Sequence, residues 1–319
     1  MNRSACLIFN PVAGQGNPEL ELDQIRGLLE PEIDLDIYLT TVEIDADELA
    51  YAAINRGVDC IIASGGDGTL SAVAEAVVNS NIPLGIISRG TANAFASALG
   101  IPNNIVIACQ TILQGITRTI DVASCNDKIM ILLVGIGFEA DTIERTGREA
   151  KNRFGMLAYI LAGIQELGNL QKFEVEIETE DKIITTSASS VTVANAAPAT
   201  SVLAQGPAGI NFDDGLLDLT IVAPENRAGA IAATFHLFQT AATETPVERN
   251  DIGYLRAKEF KITTNPPQKV VVDGEIIGTT PVEIKCIPKA LTVFVPSLEE
   301  KIPIEKLQGL PDLNVEIKQ

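Results

Sequence analysis

Histidine is nearly missing from this chain: His236 is the one residue of its kind, set inside the apolar run IAATFHLFQ. With no second imidazole to share a metal or a proton, it reads as a packed or capped core residue, and histidine-based catalysis is disfavoured. No G-x-S-x-G is present, which removes the nucleophile-elbow hydrolases. The five cysteines (Cys6, Cys60, Cys109, Cys125, Cys286) are odd in number, widely spaced and free of any C-x-x-C pair. That pattern excludes a disulfide framework and a zinc site, and reads as reduced thiols in a cytosolic protein. Basic residues are scarce: 23 Lys and Arg against 42 Asp and Glu leave a formal net charge of −19. Such a chain repels phosphodiester backbones, so no nucleic-acid partner is expected, and broad adsorption to anionic membranes is disfavoured too. Long apolar runs are also missing. IMILLVGIG and FGMLAYILAGI have core length, short of the ~18 residues that a spanning helix needs. The opening MNRSACLIFN is broken at Asn10 and Pro11 and does not read as a signal peptide.

What is present is 319 residues with 46% hydrophobic content, enough for two ordinary cores. Over the first 120 residues strand-like runs (ACLIFN, LDIYLTT, VDCIIAS, PLGIIS) alternate with helix-like ones (PELELDQIRGLLE, DADELAYAAINRG, TLSAVAEAVVNS, NIVIACQTILQG). This order predicts a Rossmann-like α/β domain with a parallel sheet covered by helices on both faces. After TRTIDVASC the texture becomes strand-rich, interrupted by helical patterns at roughly 150–168 and 226–240. Many strands with short turns predict a mainly antiparallel β-sandwich. The expected divisions are 1–122, 123–295 and a polar C-terminal segment 296–319, which either frays or returns to the first domain. No internal repeat or low-complexity tract is visible.

The informative motif is IIASGGDGTL, residues 61–70: a buried strand that ends in three glycines interleaved with a carboxylate. Gly65, Gly66 and Gly68 permit positive φ and let a ligand approach the main chain, whose N–H groups can cradle a polyphosphate at the start of the next helix. Asp67 among those amides would repel the phosphates unless a cation such as Mg²⁺ stands between them. The plainer alternative is a strand-to-helix turn capped by Asp67.

GGDGT resembles the phosphate loop shared by diacylglycerol kinases, NAD kinases and phosphofructokinases. FNPVAG at 9–14, RGTANAFASALGI at 89–101 and VDGE at 272–275 resemble segments of the diacylglycerol kinase catalytic family, in its compact bacterial lipid-kinase branch. GIGFEADTI, GMLAYI, DDGLLDLTIV and PKALTVFVP extend the resemblance over almost the whole chain. It implies ATP as phosphate donor, held by Asn10, a hydroxyl at Thr40 or Thr41, Gly65, Gly66, Asp67, Gly68, Thr69, Thr91 and Asn93. It implies Glu275 as general base, with Asp273 and Asp67 in the same catalytic set, and Mg²⁺ at Asp67. Loop and base lie about two hundred residues apart, so a cleft between the domains is expected. A weakly nucleophilic lipid alcohol needs such a carboxylate to accept its proton. The plainer reading of VDGE is a hairpin turn, because Asp-Gly is a strong turn signal.

The resemblance further implies a second, structural Mg²⁺ held by Asp214 with main-chain carbonyls in NFDDGLLDL. Otherwise that segment is a solvated turn with Asp218 facing water. Arg89 would reach the phosphates or form an exposed ion pair. Two departures stand out: Ala94 replaces the family's usual aspartate in G-T-x-N-D-F-A, and Ile44 stands where a glycine often precedes the second helix. The expected reaction is phosphorylation of a diacylglycerol-like lipid hydroxyl. An NAD kinase is the enzymatic alternative, although the Asn-Glu pair of that family is missing here. A silent nucleotide- or lipid-binding protein is the non-enzymatic one. The expected partners are ATP and a membrane lipid reached by peripheral contact from the cytoplasm, a homodimer being compatible with this. Arg145, Arg148, Lys151 and Arg153, just before an apolar helical stripe, suit such an interface as well as they suit a solvated helix end.

Overall fold

The computed structural model describes residues 3–137, 172–198, 201–204, 209–243, 245, 248–296 and 305–318. The basic cluster at 145–153 and the helical pattern at 150–168 lie outside the described residues. The chain forms two compact units, Met1–Ile120 with Lys289–Glu299, and Asp121–Pro288 with Glu300–Gln319.

The first unit is α/β. Strands β1 (Arg3–Phe9), β2 (Ile33–Leu39), β3 (Cys60–Gly65) and β4 (Leu84–Ser88) alternate with helices α1 (Pro18–Leu29), α2 (Ala46–Arg56), α3 (Asp67–Val77), α4 (Ala94–Ala98) and α5 (Ile105–Gln114). The strands pair in parallel in the order β4-β3-β1-β2. Every residue of β3 and β4 is buried, as expected of strands covered on both faces. The helices start and stop where local chemistry dictates. The Asn17 side chain accepts the N–H groups of Glu19 and Leu20 ahead of Pro18, and Asn104 does the same for Ile107 at α5. Gly57 ends α2 in the left-handed region at φ 72°.

The second unit is an antiparallel sandwich. Strands β5 (Thr117–Cys125), which begins in the first unit, β6 (Lys128–Met130) and β7 (Leu133–Gly137) are followed by β8 (Phe173–Glu178), β9 (Lys182–Ala188), β10 (Ser190–Ala194) and β11 (Leu217–Val222). After helix α6 (Arg227–Thr243) come β12 (Ile252–Ala257), β13 (Glu259–Asn265), β14 (Lys269–Val272), β15 (Glu275–Thr279), β16 (Val282–Phe294) and β17 (Asn314–Ile317). One sheet runs β12-β11-β10-β7-β14-β15; the other contains β17, β9, β8, β13 and the first part of β16. In β8 the alternation of Phe173, Val175 and Ile177 with glutamates puts the apolar residues inward. They share one core with Val134, Ile136, Val191, Val193, Leu219 and Ile221 of the opposite sheet.

Three positions differ from expectation or were left open. His236 is exposed, because α6 turns Ala233, Leu237 and Thr240 inward instead. The stretch Lys289–Glu299 groups with the first unit, where the end of β16 lies beside β4 at Val293 and Leu84. Residues 305–318 belong to the second unit: Lys306 exchanges two backbone hydrogen bonds with Tyr254 of β12, and β17 pairs with β9.

Candidate functional site

In the first unit the candidate residues converge on the carboxyl ends of the parallel strands. The chain leaves β1 toward β2 on one side and returns at β3 on the other, so the two central strands flank a topological switch point, where open α/β sheets place their ligands. Asn10, just past β1, donates its backbone N–H to Ser64 O at 2.9 Å and its side-chain Nδ2 to Thr69 Oγ1 at 2.8 Å. Thr40, just past β2, donates its N–H to Phe9 O at 3.0 Å. The Thr41 hydroxyl is turned away into its own loop, accepting from Glu43 N and Ile44 N.

The glycines of GGDGT serve close approach and not unusual dihedrals: none of Gly65, Gly66 and Gly68 has a positive φ. A Cβ on Gly65 would stand 2.7 Å from the Thr69 side chain, and one on Gly90 would stand 2.9 Å from Gly66 Cα. The β3–α3 and β4–α4 loops therefore touch backbone to backbone. At exposed Gly68 a Cβ would meet nothing within 4 Å. The first N–H groups of α3 have no partner inside the helix, and with the helix dipole they make a cradle for an anion.

Arg89 neither reaches out nor forms an exposed pair. It is buried, with Nε 2.6 Å from Glu21 Oε2, one terminal nitrogen 2.8 Å from Asn10 O, and the guanidinium 4.0 Å over the Phe9 ring. Its own N–H donates to Gly65 O at 2.7 Å. Arg89 thus ties the ends of β1 and β3 together beneath the loops. Beside it is a cavity of about 410 Å³ lined by Gln15, Glu21, Ser88, Gly90, Thr91 and Asn103 among others. Asn93 is buried at φ 50°, at the N-cap position of α4, where its side chain makes no capping hydrogen bond. Asp67 is half-buried and caps neither its own helix nor a loop. One carboxylate oxygen accepts the Phe95 N–H at a long 3.4 Å, at the start of α4 next to Ala94. So weakly engaged a carboxylate retains lone pairs that suit a divalent cation.

In the second unit VDGE is a hairpin. Asp273 and Gly274 take φ 48° and 89°, joining β14 to β15 in the two-residue geometry that Asp-Gly favours. The Asp273 carboxylate accepts three successive N–H groups, from Ile131 at 2.7 Å, Leu132 at 3.0 Å and Leu133 at 2.9 Å, and its own N–H returns to Leu133 O. Burial pushes it up to about 6 against the pull of those donors. Asp273 is therefore the anchor of the turn. Glu275 follows with a side chain 63% exposed and an Oε2 2.5 Å from Lys128 Nζ.

Asp218 does not face water, and Asp214, although exposed, is held in the same ion pair. Arg256 Nε donates to Asp218 Oδ1 at 2.9 Å, and the same guanidinium contacts Asp214 Oδ2. The other Asp214 oxygen accepts the Leu216 N–H at 3.1 Å. Burial pushes Asp218 up to about 7, outweighing Arg256. Among the described residues no group of three or more His, Cys, Asp or Glu side chains is assembled as a metal centre.

Lys128, Arg256, Glu21 and the buried role of Arg89 escape the sequence reading. Arg256 leaves a usable trace, since it is the charged residue of the apolar strand IGYLRA as Asp218 is of LDLTIV, and the two are direct cross-strand neighbours. Lys128 leaves none.

Comparison with known proteins agrees with this architecture. Residues 4–125 match the family model of the diacylglycerol kinase catalytic domain, and residues 133–295 match that of the YegS C-terminal NAD kinase beta sandwich-like domain. An uncharacterized protein of Synechocystis sp. is 50% identical over 301 residues, covering 91% of this chain and 70% of that protein. A diacylglycerol kinase of Bacillus subtilis is 30% identical over 316 residues, covering 97% of this chain and 100% of its own. A crystal structure from Bacillus anthracis, provisionally named a diacylglycerol kinase, superimposes with a TM-score of 0.78 at 28% identity, covering 92% of this chain and 97% of its own. With both family models matched in order and a relative aligned over its full length, the chain belongs to the bacterial diacylglycerol kinase-like family.

Proposed function

We propose that this protein is an ATP-dependent lipid kinase that phosphorylates the free hydroxyl of a diacylglycerol-like lipid. The observation that carries the reading is the start of α3 at the switch point of a kinase-family fold, where Gly68 is exposed and a Cβ on it would meet nothing within 4 Å. The first unit binds the nucleotide: Asn10 and Thr69 brace the loop, Gly68 admits the phosphates, and Thr91 and Asn93 border them. Thr40, at the end of β2, stands at the same strand ends. Mg²⁺, held at Asp67, would neutralise charge on the donor phosphates.

The second unit supplies the base. Asp273 fixes the turn, and Lys128 orients the Glu275 carboxylate. Glu275 accepts the proton of the lipid alcohol as its oxygen attacks the γ-phosphorus; the bond to the bridging oxygen breaks, and ADP leaves with the electron pair. Among the described residues no helix is long and apolar enough to cross a membrane, so the lipid would be met by peripheral contact, from the cytoplasm in our reading. The test is phosphate transfer from labelled ATP to a panel containing diacylglycerol, phosphatidylglycerol, a sphingoid base and NAD. A labelled diacylglycerol product is expected; transfer to NAD alone, or to nothing, would overturn the proposal.

A further inference from the structure

The family resemblance places a structural Mg²⁺ at Asp214, and the residues of this chain do not fit it. We infer that the guanidinium of Arg256 is the resident cation of the 213–218 turn, so that this turn is braced without a metal ion.

Position comes first. Asp218 of β11 and Arg256 of β12 are register partners, which aims the Arg256 side chain along the strand pair toward the turn that precedes β11. There its planar fork spans two carboxylates, through Nε to Asp218 and through a terminal nitrogen to Asp214. The arginine side chain is 13% exposed and that of Asp218 1%, so the pair is largely shielded from solvent. The turn is then completed by backbone donors. Leu216 N–H satisfies the remaining Asp214 oxygen, and Gly215 N–H donates to Asp121 Oδ2 at 2.6 Å. Glu305 Oε1 accepts the Arg256 N–H at 2.8 Å, which fixes the arginine backbone as well.

A divalent ion at the same carboxylate would face two obstacles. Mg²⁺ demands near-octahedral oxygens and gives up its waters reluctantly, while both Asp214 oxygens already accept from N–H groups. The ion would also stand against a guanidinium that shares its ligand, and like charges at contact distance in a shielded site repel strongly.

The inference is independent of the proposed catalysis and is tested on the full chain without nucleotide. Metal content is measured by mass spectrometry, and thermal unfolding is followed with EDTA and with added MgCl₂, for wild type and for Asp214→Asn. The expected result is no stoichiometric metal and the same response to EDTA in both proteins. Arg256→Leu should lose about 4 °C or more in Tm, with Arg256→Lys regaining part of it. If Arg256→Leu fails to fold, the chelation comparison still decides. Stoichiometric metal that is lost in Asp214→Asn, or an EDTA-induced fall in Tm that Asp214→Asn abolishes, would overturn the inference.

Discussion

The Asn10 side chain donates to the Thr69 hydroxyl at 2.8 Å, binding the end of β1 to the first turn of α3 across 59 positions of sequence. It spans the switch point and holds the GGDGT turn at a set distance from the FNPVAG segment. Asn10→Ala removes it, and a hydrogen bond of about 1 kcal/mol corresponds to a loss in ATP affinity of about five- to tenfold. Nucleotide titration checks this, and unchanged affinity in a folded variant would detach Asn10 from the site.

The glycine loop separates binding from folding at neighbouring positions. Gly68→Val adds bulk where the fold has open space, so Tm should stay close to wild type while ATP affinity falls about tenfold or more. Gly65→Ala meets Thr69 at 2.7 Å and should instead cost about 1–3 kcal/mol of stability through overpacking. Melting curves and titrations together read both effects; a Gly68→Val protein that still binds ATP normally would move the phosphates elsewhere.

The hairpin divides its labour between two carboxylates. Glu275→Gln keeps the turn and should lower kcat and kcat/KM together by about 10²–10⁴ with ATP affinity unchanged. Asp273→Asn keeps one oxygen for Leu132 and Leu133 but sets an NH2 donor against the Ile131 N–H, and should lower Tm as well as rate. Near-wild-type turnover by Glu275→Gln would leave the hairpin as a structural turn alone.

Burial sets a pH dependence in the second unit. Asp218 and Asp273 rise from 3.8 to about 7 and about 6, so the folded chain keeps protons there that the unfolded chain has released. Their contribution to stability is therefore complete below 3.8 and is lost as pH rises through 6 and 7. Between pH 5.5 and 8.5 wild type should lose more Tm than Asp218→Asn does. Parallel curves for the two proteins would contradict this.

The parts of the site legible in sequence are those whose chemistry is local. The βαβα order of the first unit follows from short β-branched runs alternating with helical spacing, and β3–GGDGT–α3 is read correctly as strand, turn and helix. Asp-Gly in VDGE announces its hairpin because two positive φ values in succession suit that pair. Partners distant in sequence are hidden. The donors to Asp273 lie about 140 positions upstream, and nothing in VDGE points to them. Asp67 suggests a cap for its own helix, yet it turns to α4 because the β4–α4 loop packs against it through Gly90. Asp218 looks solvated beside its Asp-Gly neighbours until the register with Arg256 buries it.

The first unit recruits part of its sheet from the far end of β16. Val293 lies beside Leu84, Val295 N–H donates to Ile116 O, and the Arg3 guanidinium sits 5.0 Å over the Phe294 ring. During synthesis the N-terminal 120 residues emerge first, but the strand that covers the open edge of β4 is translated some 170 residues later. Until then that edge is bare, and a bare edge invites pairing with other chains. The order of translation and the order of completion are thus reversed for this protein: the first unit, although made first, is finished only after nearly all of the second has left the ribosome.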